Sequence, residues 1–276
     1  MTGEPGGPIE PVPGVDTTRA NVARVYDYWL GGQHNFLADQ DVARAIAAVS
    51  PNAPLIGRAN RAFLGRAVRF LAANGVRQFL DIGSGIPTQQ NTHQVAQQAS
   101  PGARVVYADI DPVAIAHSKA ILGGQDDAAI IEADLRDPAA ILDDPATRRL
   151  IDFSQPAGLL LIAILHFIAD AEDPWQLVRT LRDALAPGSY LVLSHGTDEG
   201  TPEVARAVQN VYNRGVATAL HVRSQAAIMR FFDGFEIAEP GLVFIPQWRP
   251  DSPAGVPDDP HRYGNLVGVG RKGPAQ

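Results

Sequence analysis

Apolar positions along the chain follow a helical period before about residue 74 and a strand-then-helix alternation after it. Ile56, Phe63, Leu64, Ala67, Phe70 and Leu71 recur at helical spacing, with Arg58, Arg61, Arg66 and Arg69 falling mostly elsewhere on the wheel. This predicts an amphipathic helix over 52–73, stopped by Asn74-Gly75. Two shorter helices are predicted ahead of it. One is capped by Thr17 or Thr18, runs to Trp29 and is broken by Gly31-Gly32; the other starts near Asp39 and ends before Ser50-Pro51. Residues 1–16 are rich in Gly and Pro, carry no apolar period, and read as a disordered arm.

Downstream, strands are predicted at 78–82, 104–108, 128–132, 158–165 and 189–194, with helices at 88–98, 112–121, 138–142 and 174–185. Such alternation with short connections argues for an α/β fold, a parallel sheet covered by helices on both faces. The last segments, 235–238, 242–245 and 266–270, look like strands without full crossover helices between them, and Pro and Asp in 249–260 predict an exposed loop.

Composition narrows the chemistry. With 276 residues the chain can bury a sizeable core, and 45% hydrophobic residues is an ordinary globular value. A net charge of −7 argues against an electrostatic hold on nucleic acid. The absence of cysteine excludes disulfides, cysteine nucleophiles, thiolate metal sites and cysteine-ligated iron–sulfur clusters; no metal site is predicted. The longest apolar run, 157–165, is too short to span a bilayer, and no signal peptide is visible, so the expectation is a cytoplasmic protein with no membrane partner.

The strongest local signal is Phe79-Leu80-Asp81-Ile82-Gly83-Ser84-Gly85-Ile86-Pro87-Thr88, in which a strand delivers an acid, a Gly-x-Gly turn and a helix start. Such a turn lets a ligand approach the backbone at the carboxyl end of the strand. Asp109, with Ile110, follows the second strand about twenty residues on, where an acid would accept from a ribose diol; Asp111 before Pro112 fits a helix cap. Asp134 and Leu135 follow the third strand, where a carboxylate and a backbone N–H would read an adenine edge, although a solvated loop acid is the plainer reading. A nicotinamide dinucleotide uses a similar layout, but its fingerprint continues to a third glycine where Thr88 stands, and Pro87 removes an N–H that a pyrophosphate would use. S-adenosylmethionine (SAM) has no phosphate and loses little by that.

The ordered series Asn60-Arg61-Ala62-Phe63-Leu64-Gly65-Arg66-Ala67-Val68-Arg69, the glycine turn, Asn91-Thr92-His93, Tyr107-Ala108-Asp109-Ile110-Asp111-Pro112, Leu165-His166-Phe167, Ser194-His195-Gly196-Thr197 and Trp248-Arg249-Pro250-Asp251 resembles a group of SAM-dependent methyltransferases once labelled a domain of unknown function. The resemblance extends to 24–36, where Gln33-His34 replaces the family's usual Lys-Asp. It implies a Rossmann-like, seven-stranded, mostly parallel sheet in residues 53–272, an N-terminal helical cap in 17–52 over the cofactor cleft, and no particular substrate. The expected function is methyl transfer from SAM, leaving S-adenosylhomocysteine, to a small-molecule acceptor; a SAM-binding regulator without turnover, or less readily an NAD-dependent oxidoreductase, is the alternative.

An oxygen or nitrogen acceptor can need a general base. His166, after the fourth strand, is the leading candidate, against a histidine bonded in the core or packed beside adenine; His195 is placed similarly after the fifth. Tyr28 and Asn35 in the cap are expected at the cofactor, beside Tyr26 and His34 as possible lining. Trp29 and His93 read as structural.

Overall fold

A computed structural model describes residues 15–87, 90–252 and 255–274. Five parallel strands form the centre: β1 (Gln78–Ile82), β2 (Arg104–Asp109), β3 (Ala128–Glu132), β4 (Gly158–Ile162) and β5 (Tyr190–Gly196). β6 (Phe235–Ile237) and β7 (Val243–Phe244) both pair with β8 (Asn265–Lys272), which runs antiparallel to β5. The spatial order is β3-β2-β1-β4-β5-β8-β6. β6 and β7 pair with successive stretches of one edge of β8, so eight strands fill the seven positions expected. Strands buried on both faces read as continuous apolar runs, as Leu159, Leu160 and Leu161 do here at 0% exposure.

Helices α3 (Ala53–Ala73), α4 (Thr92–Ala99), α5 (Pro112–Leu122), α6 (Pro138–Asp143), α7 (Pro145–Leu150) and α8 (Pro174–Ala184) follow in chain order, after α1 (Val22–Trp29) and α2 (Leu37–Val49). Two separate apolar clusters, one with Phe63, Phe79 and Trp248 and the other with Leu159, Leu161 and Phe231, show that both faces of the sheet are covered.

Several expected boundaries shift, each for a local reason. α1 starts at Val22 rather than after Thr18, because Ala20 is drawn into a bridge with Val216 and Asn21 supplies the cap, its Oδ1 accepting from Ala23 N at 2.7 Å. The helix expected from 88 starts at Thr92, where Asn91 and Gln94 form a capping box; Thr88 itself lies outside the described residues. The fourth strand ends at Ile162, not 165, because Ala163 turns to φ +55 and residues 165–167 form a 3₁₀ turn. The arm over 1–16 lies outside the described residues except Val15, which packs against Ile86, Val113 and Ala114, and Asp16, which caps a turn by accepting from Thr18 N. Three helices were not anticipated, α7, α9 (Pro202–Gly215) and the short α10 (Gln225–Met229).

α9 completes the cap. Tyr212 and Leu220 are buried with Ala20, Val25, Ala43 and Ile46, so the chain after β5 returns to join α1 and α2 above the sheet. Among the described residues no helix is long and apolar enough to cross a membrane.

Candidate functional site

A cleft of about 260 Å³ opens over the carboxyl ends of β1, β2, β4 and β5, beneath the cap. Its floor is the glycine turn and the strand ends, its side wall α3, and its roof α1, α2 and α9. This is where an open α/β sheet places a ligand.

The floor is polar and largely pre-bonded. Asp109 is buried; its Oδ2 accepts from Gly85 N at 2.7 Å and its Oδ1 from Ile110 N and Asp111 N at 2.8 and 2.9 Å. Three of the roughly four acceptor positions of a carboxylate are thus taken by backbone, which ties the glycine turn to the end of β2 and leaves about one for a hydroxyl. Burial raises its pKa, against those backbone bonds. Asp81 accepts from Thr92 Oγ1 at 2.6 Å, and burial pushes it up to about 6. Asp111 does what its position before Pro112 suggests, its Oδ1 accepting from Val113 N and Ala114 N at the start of α5.

Gly83 and Gly85 both have positive φ, +71° and +65°, but their surroundings differ. A Cβ on Gly83 would come within 2.6 Å of Ile164 Cγ1, whereas at Gly85 it would meet nothing within 4 Å. Gly83 is a packing requirement; Gly85 borders open cleft. Asp134, half-exposed, accepts from Arg136 N at 2.9 Å and pairs with the Arg136 guanidinium, which also binds Glu172. Leu135 is buried beside it, and Ile110 lies in the lining with 53% of its surface exposed.

Of the expected residues, the cleft brings together Asp81, Gly83, Ser84, Gly85, Asp109, Ile110, Asp134, Leu135 and His166. It does not include Tyr28 or Asn35 among its lining. Two residues along a helix is more than half a turn, so Tyr28 points away from Tyr26, into the packing of α1 against α2. Asn35 is spent inside the cap loop, where its Nδ2 donates to Asp27 Oδ2 at 2.8 Å and to Gly32 O at 3.0 Å. Tyr26 and Trp29 do line the cleft; Tyr26 Oη donates to Gly57 O at 2.9 Å, and Trp29 Nε1 donates to Ala43 O, holding α1 to α2.

Two residues on α3 belong to the site although the sequence reading assigned them no role. Asn60 is 2% exposed, its Nδ2 donates to Tyr26 Oη, and its Oδ1 is buried without a partner among the described residues. Arg61 lines the cleft, makes no hydrogen bond among the described residues, and its charge lowers the Asp81 pKa. A polar residue on the face defined by Ile56, Phe63, Leu64 and Ala67 was the available signal.

His166 is 6% exposed and in the lining. Its Nδ1 accepts from Gly196 N at 3.3 Å, so the neutral ring carries its hydrogen on Nε2. Burial, aided by Arg223 and His221, pushes its pKa down to about 3. His195 is fully buried and outside the lining: Nδ1 donates to Gly196 O at 2.7 Å and Nε2 accepts from Arg223 Nη1 at 2.8 Å. That removes His195 from the candidate bases. Arg223 also donates to Leu165 O, Ile168 O and Asp170, so it clasps the turn that carries His166. His93 is structural, sharing two short bonds with Tyr107 Oη.

Comparison with known proteins agrees with this architecture. A candidate methyltransferase from Thermobifida fusca superposes with a TM-score of 0.89 at 42% identity, covering 95% of this chain and 98% of its own. A DUF574 family protein from Streptomyces avermitilis does so with a TM-score of 0.89 at 40% identity, covering 93% and 99%. An O-methyltransferase family protein from Burkholderia thailandensis shares the fold alone, with a TM-score of 0.52 at 14% identity over 91% of this chain and 64% of its own. No curated protein matches. The model of the S-adenosyl methyltransferase family matches residues 9–273, almost the whole chain, and the protein belongs to that family.

Proposed function

We propose that the protein binds SAM on the floor of the cleft and transfers its methyl group to a small molecule held under the roof. The observation that carries this reading is a pair of buried polar atoms without partners among the described residues, Ser84 Oγ and Asn60 Oδ1, on two residues that line the cleft together with Gly85. Buried polar atoms are seldom left unpaired, and those that are call for an explanation such as a ligand. The rest of the floor fits the same cofactor. Asp109 retains an acceptor position for a ribose hydroxyl. Ile110 and Leu135 offer apolar contact to an adenine, with Asp134 at its edge. Arg61 is a free cation for the α-carboxylate.

A dinucleotide fits less well. Pro87, two residues past Gly85, has no backbone N–H to offer a pyrophosphate, and the carboxylates Asp81 and Asp109 line the cleft at the turn.

When bound, SAM supplies an electrophilic methyl group on a positively charged sulfur. The protein's part is to position the two reactants and exclude water, since charge disperses along the line of attack. The cap does this: α1, α2 and α9 cover the strand ends with Trp29, Ile46 and Val208, and the segment after α9 adds Leu220. The test is isolation of the protein with S-adenosylhomocysteine and determination of that complex. Density over Gly85, with the ribose at Asp109, is the expected result; a cofactor elsewhere, or none bound at millimolar concentration, contradicts the assignment.

A further inference from the structure

The roof half of the cleft differs in charge from the floor. All four lining carboxylates, Asp81, Asp109, Asp111 and Asp134, belong to the floor. Among the described residues the roof half has none, and its single charged residue is Arg262, an exposed guanidinium. Arg262 makes no ion pair with a carboxylate among the described residues. The remainder is mainly apolar, including Trp29, Phe167, Val204, Val208 and Leu220.

Among the described residues this half also lacks a group able to remove a proton. His166 is the titratable side chain nearest the end of β4, and its Nδ1 already accepts from Gly196 N. Its Nε2 therefore presents a hydrogen and donates. The charged and titratable groups around it are His195 on β5 and His221 and Arg223 in the segment before α10, with Asp170 committed to Arg223. Arg223 and His221 both disfavour a proton on His166. Of the two tyrosines in the lining, Tyr26 is partly buried and Tyr212 buried, and desolvation raises both above the ordinary phenol value, so neither supplies a phenolate. Thr197, Thr201 and Asn265 are not bases.

We infer that the acceptor is an apolar oxygen acid, a carboxylic acid or an acidic phenol, which enters the site already ionised and is methylated on its anionic oxygen. A site without a base selects acceptors that need none. A lobe with one cation and no carboxylate accommodates an anion and gives an ammonium group no partner. His166 Nε2–H is placed to orient the acid by a hydrogen bond. In the reaction the acceptor oxygen forms the new O–CH₃ bond as the CH₃–S bond breaks, the bonding pair staying on sulfur. The negative charge of the acceptor and the positive charge of the sulfonium cancel, so no proton has to leave. The products are a methyl ester or aryl methyl ether and S-adenosylhomocysteine.

The inference rests on the methyl-transfer reading above, and the experiment separates the two. Calorimetry first measures S-adenosylhomocysteine binding to the full chain; no binding removes the methyl-transfer reading. The saturated complex is then titrated at about pH 8 with 4-butylbenzoate, 4-butylbenzyl alcohol and 4-butylbenzylamine, which share one apolar body and at that pH are anion, neutral and cation. The benzoate is expected to bind about tenfold or more tightly than either partner, as a charge-assisted hydrogen bond and a nearby cation require. Turnover of a series of substituted phenols with SAM supplies the second readout. The acidic limb of the rate profile moves with the pKa of each phenol. Preference for the alcohol or the amine, no preference among the three, or a limb fixed at one pH for every phenol overturns the inference while leaving SAM binding intact.

Discussion

The floor and the roof of the cleft are built on different principles. On the floor, backbone and carboxylates are cross-bonded: Asp109 alone accepts three backbone N–H groups from the glycine turn and the start of the next loop. The roof is assembled from three helices of two distant chain segments, held by an apolar cluster around Val25, Ile46 and Tyr212 and a few capping bonds. Its interior is shaped by volume rather than by directional contacts. Directional contacts recognise one ligand, whereas an apolar volume admits a class. The contrast is that of a fixed cofactor and an acceptor chosen by shape and charge.

Changes that test this contrast should differ in kind as well as size. The largest effect is expected for Gly83→Ala. Its Cβ would lie 2.6 Å from Ile164 Cγ1 at φ +71. The left-handed backbone costs about 1–2 kcal/mol and overpacking about 1–3 kcal/mol more, so urea denaturation should show a loss of roughly 2–5 kcal/mol. A loss under about 1 kcal/mol would mean that the floor is more compliant than described.

Asp109→Ala comes next. Loss of a charged acceptor to the ligand should cost about 1.5–3 kcal/mol, or roughly 10- to 150-fold in S-adenosylhomocysteine affinity. Because Asp109 also holds Gly85 N, thermal melting must confirm that the variant is folded; unchanged affinity in a folded variant would take Asp109 out of the site. On the roof, Val204→Asp should leave that affinity within about twofold, since Val204 lies on α9 at 39% exposure, away from the floor. It should instead weaken binding of 4-butylbenzoate, through repulsion and a wetter lobe. Equal losses of both ligands would erase the distinction between the halves.

The smallest effect is spectroscopic. Nitrogen-15 NMR of the His166 ring should show the Nε2–H tautomer near neutrality with no titration near the ordinary histidine value. Because its pKa falls to about 3 in the folded protein, His166 contributes stability that is present above about 6.5, the unfolded value, and is lost as pH falls toward the folded one. Protonation near 6.5 would restore His166 as a candidate base.

How far the sequence revealed this contrast follows from its physics. Strands β1 and β3 fall at the residues their apolar runs predict, 78–82 and 128–132. The glycine turn and the acids at or just past the ends of β1, β2 and β3 were legible because strand ends and turns are local features. The roof was less so. α9 carries Val204, Ala205, Val208 and Tyr212 at helical spacing, but nothing local says that this face packs on α1 and α2 from the far end of the chain. Tyr28 was drawn toward the site by residue type, when its offset from Tyr26 on the helix already turned it away. The end of β4 was set by Ala163 at φ +55, a conformation that alanine does not advertise. His166 was found, but its hydrogen-bond state depends on Gly196, thirty residues away.

The most direct test of the account is calorimetric titration of the unaltered protein with SAM, S-adenosylhomocysteine and NAD in parallel. The account predicts saturable one-to-one binding of SAM and S-adenosylhomocysteine, with NAD weaker by about a hundredfold or more, since Pro87 withholds a backbone N–H from a pyrophosphate and Asp81 and Asp109 repel it at the turn. Tight NAD binding without binding of either SAM or S-adenosylhomocysteine would contradict it.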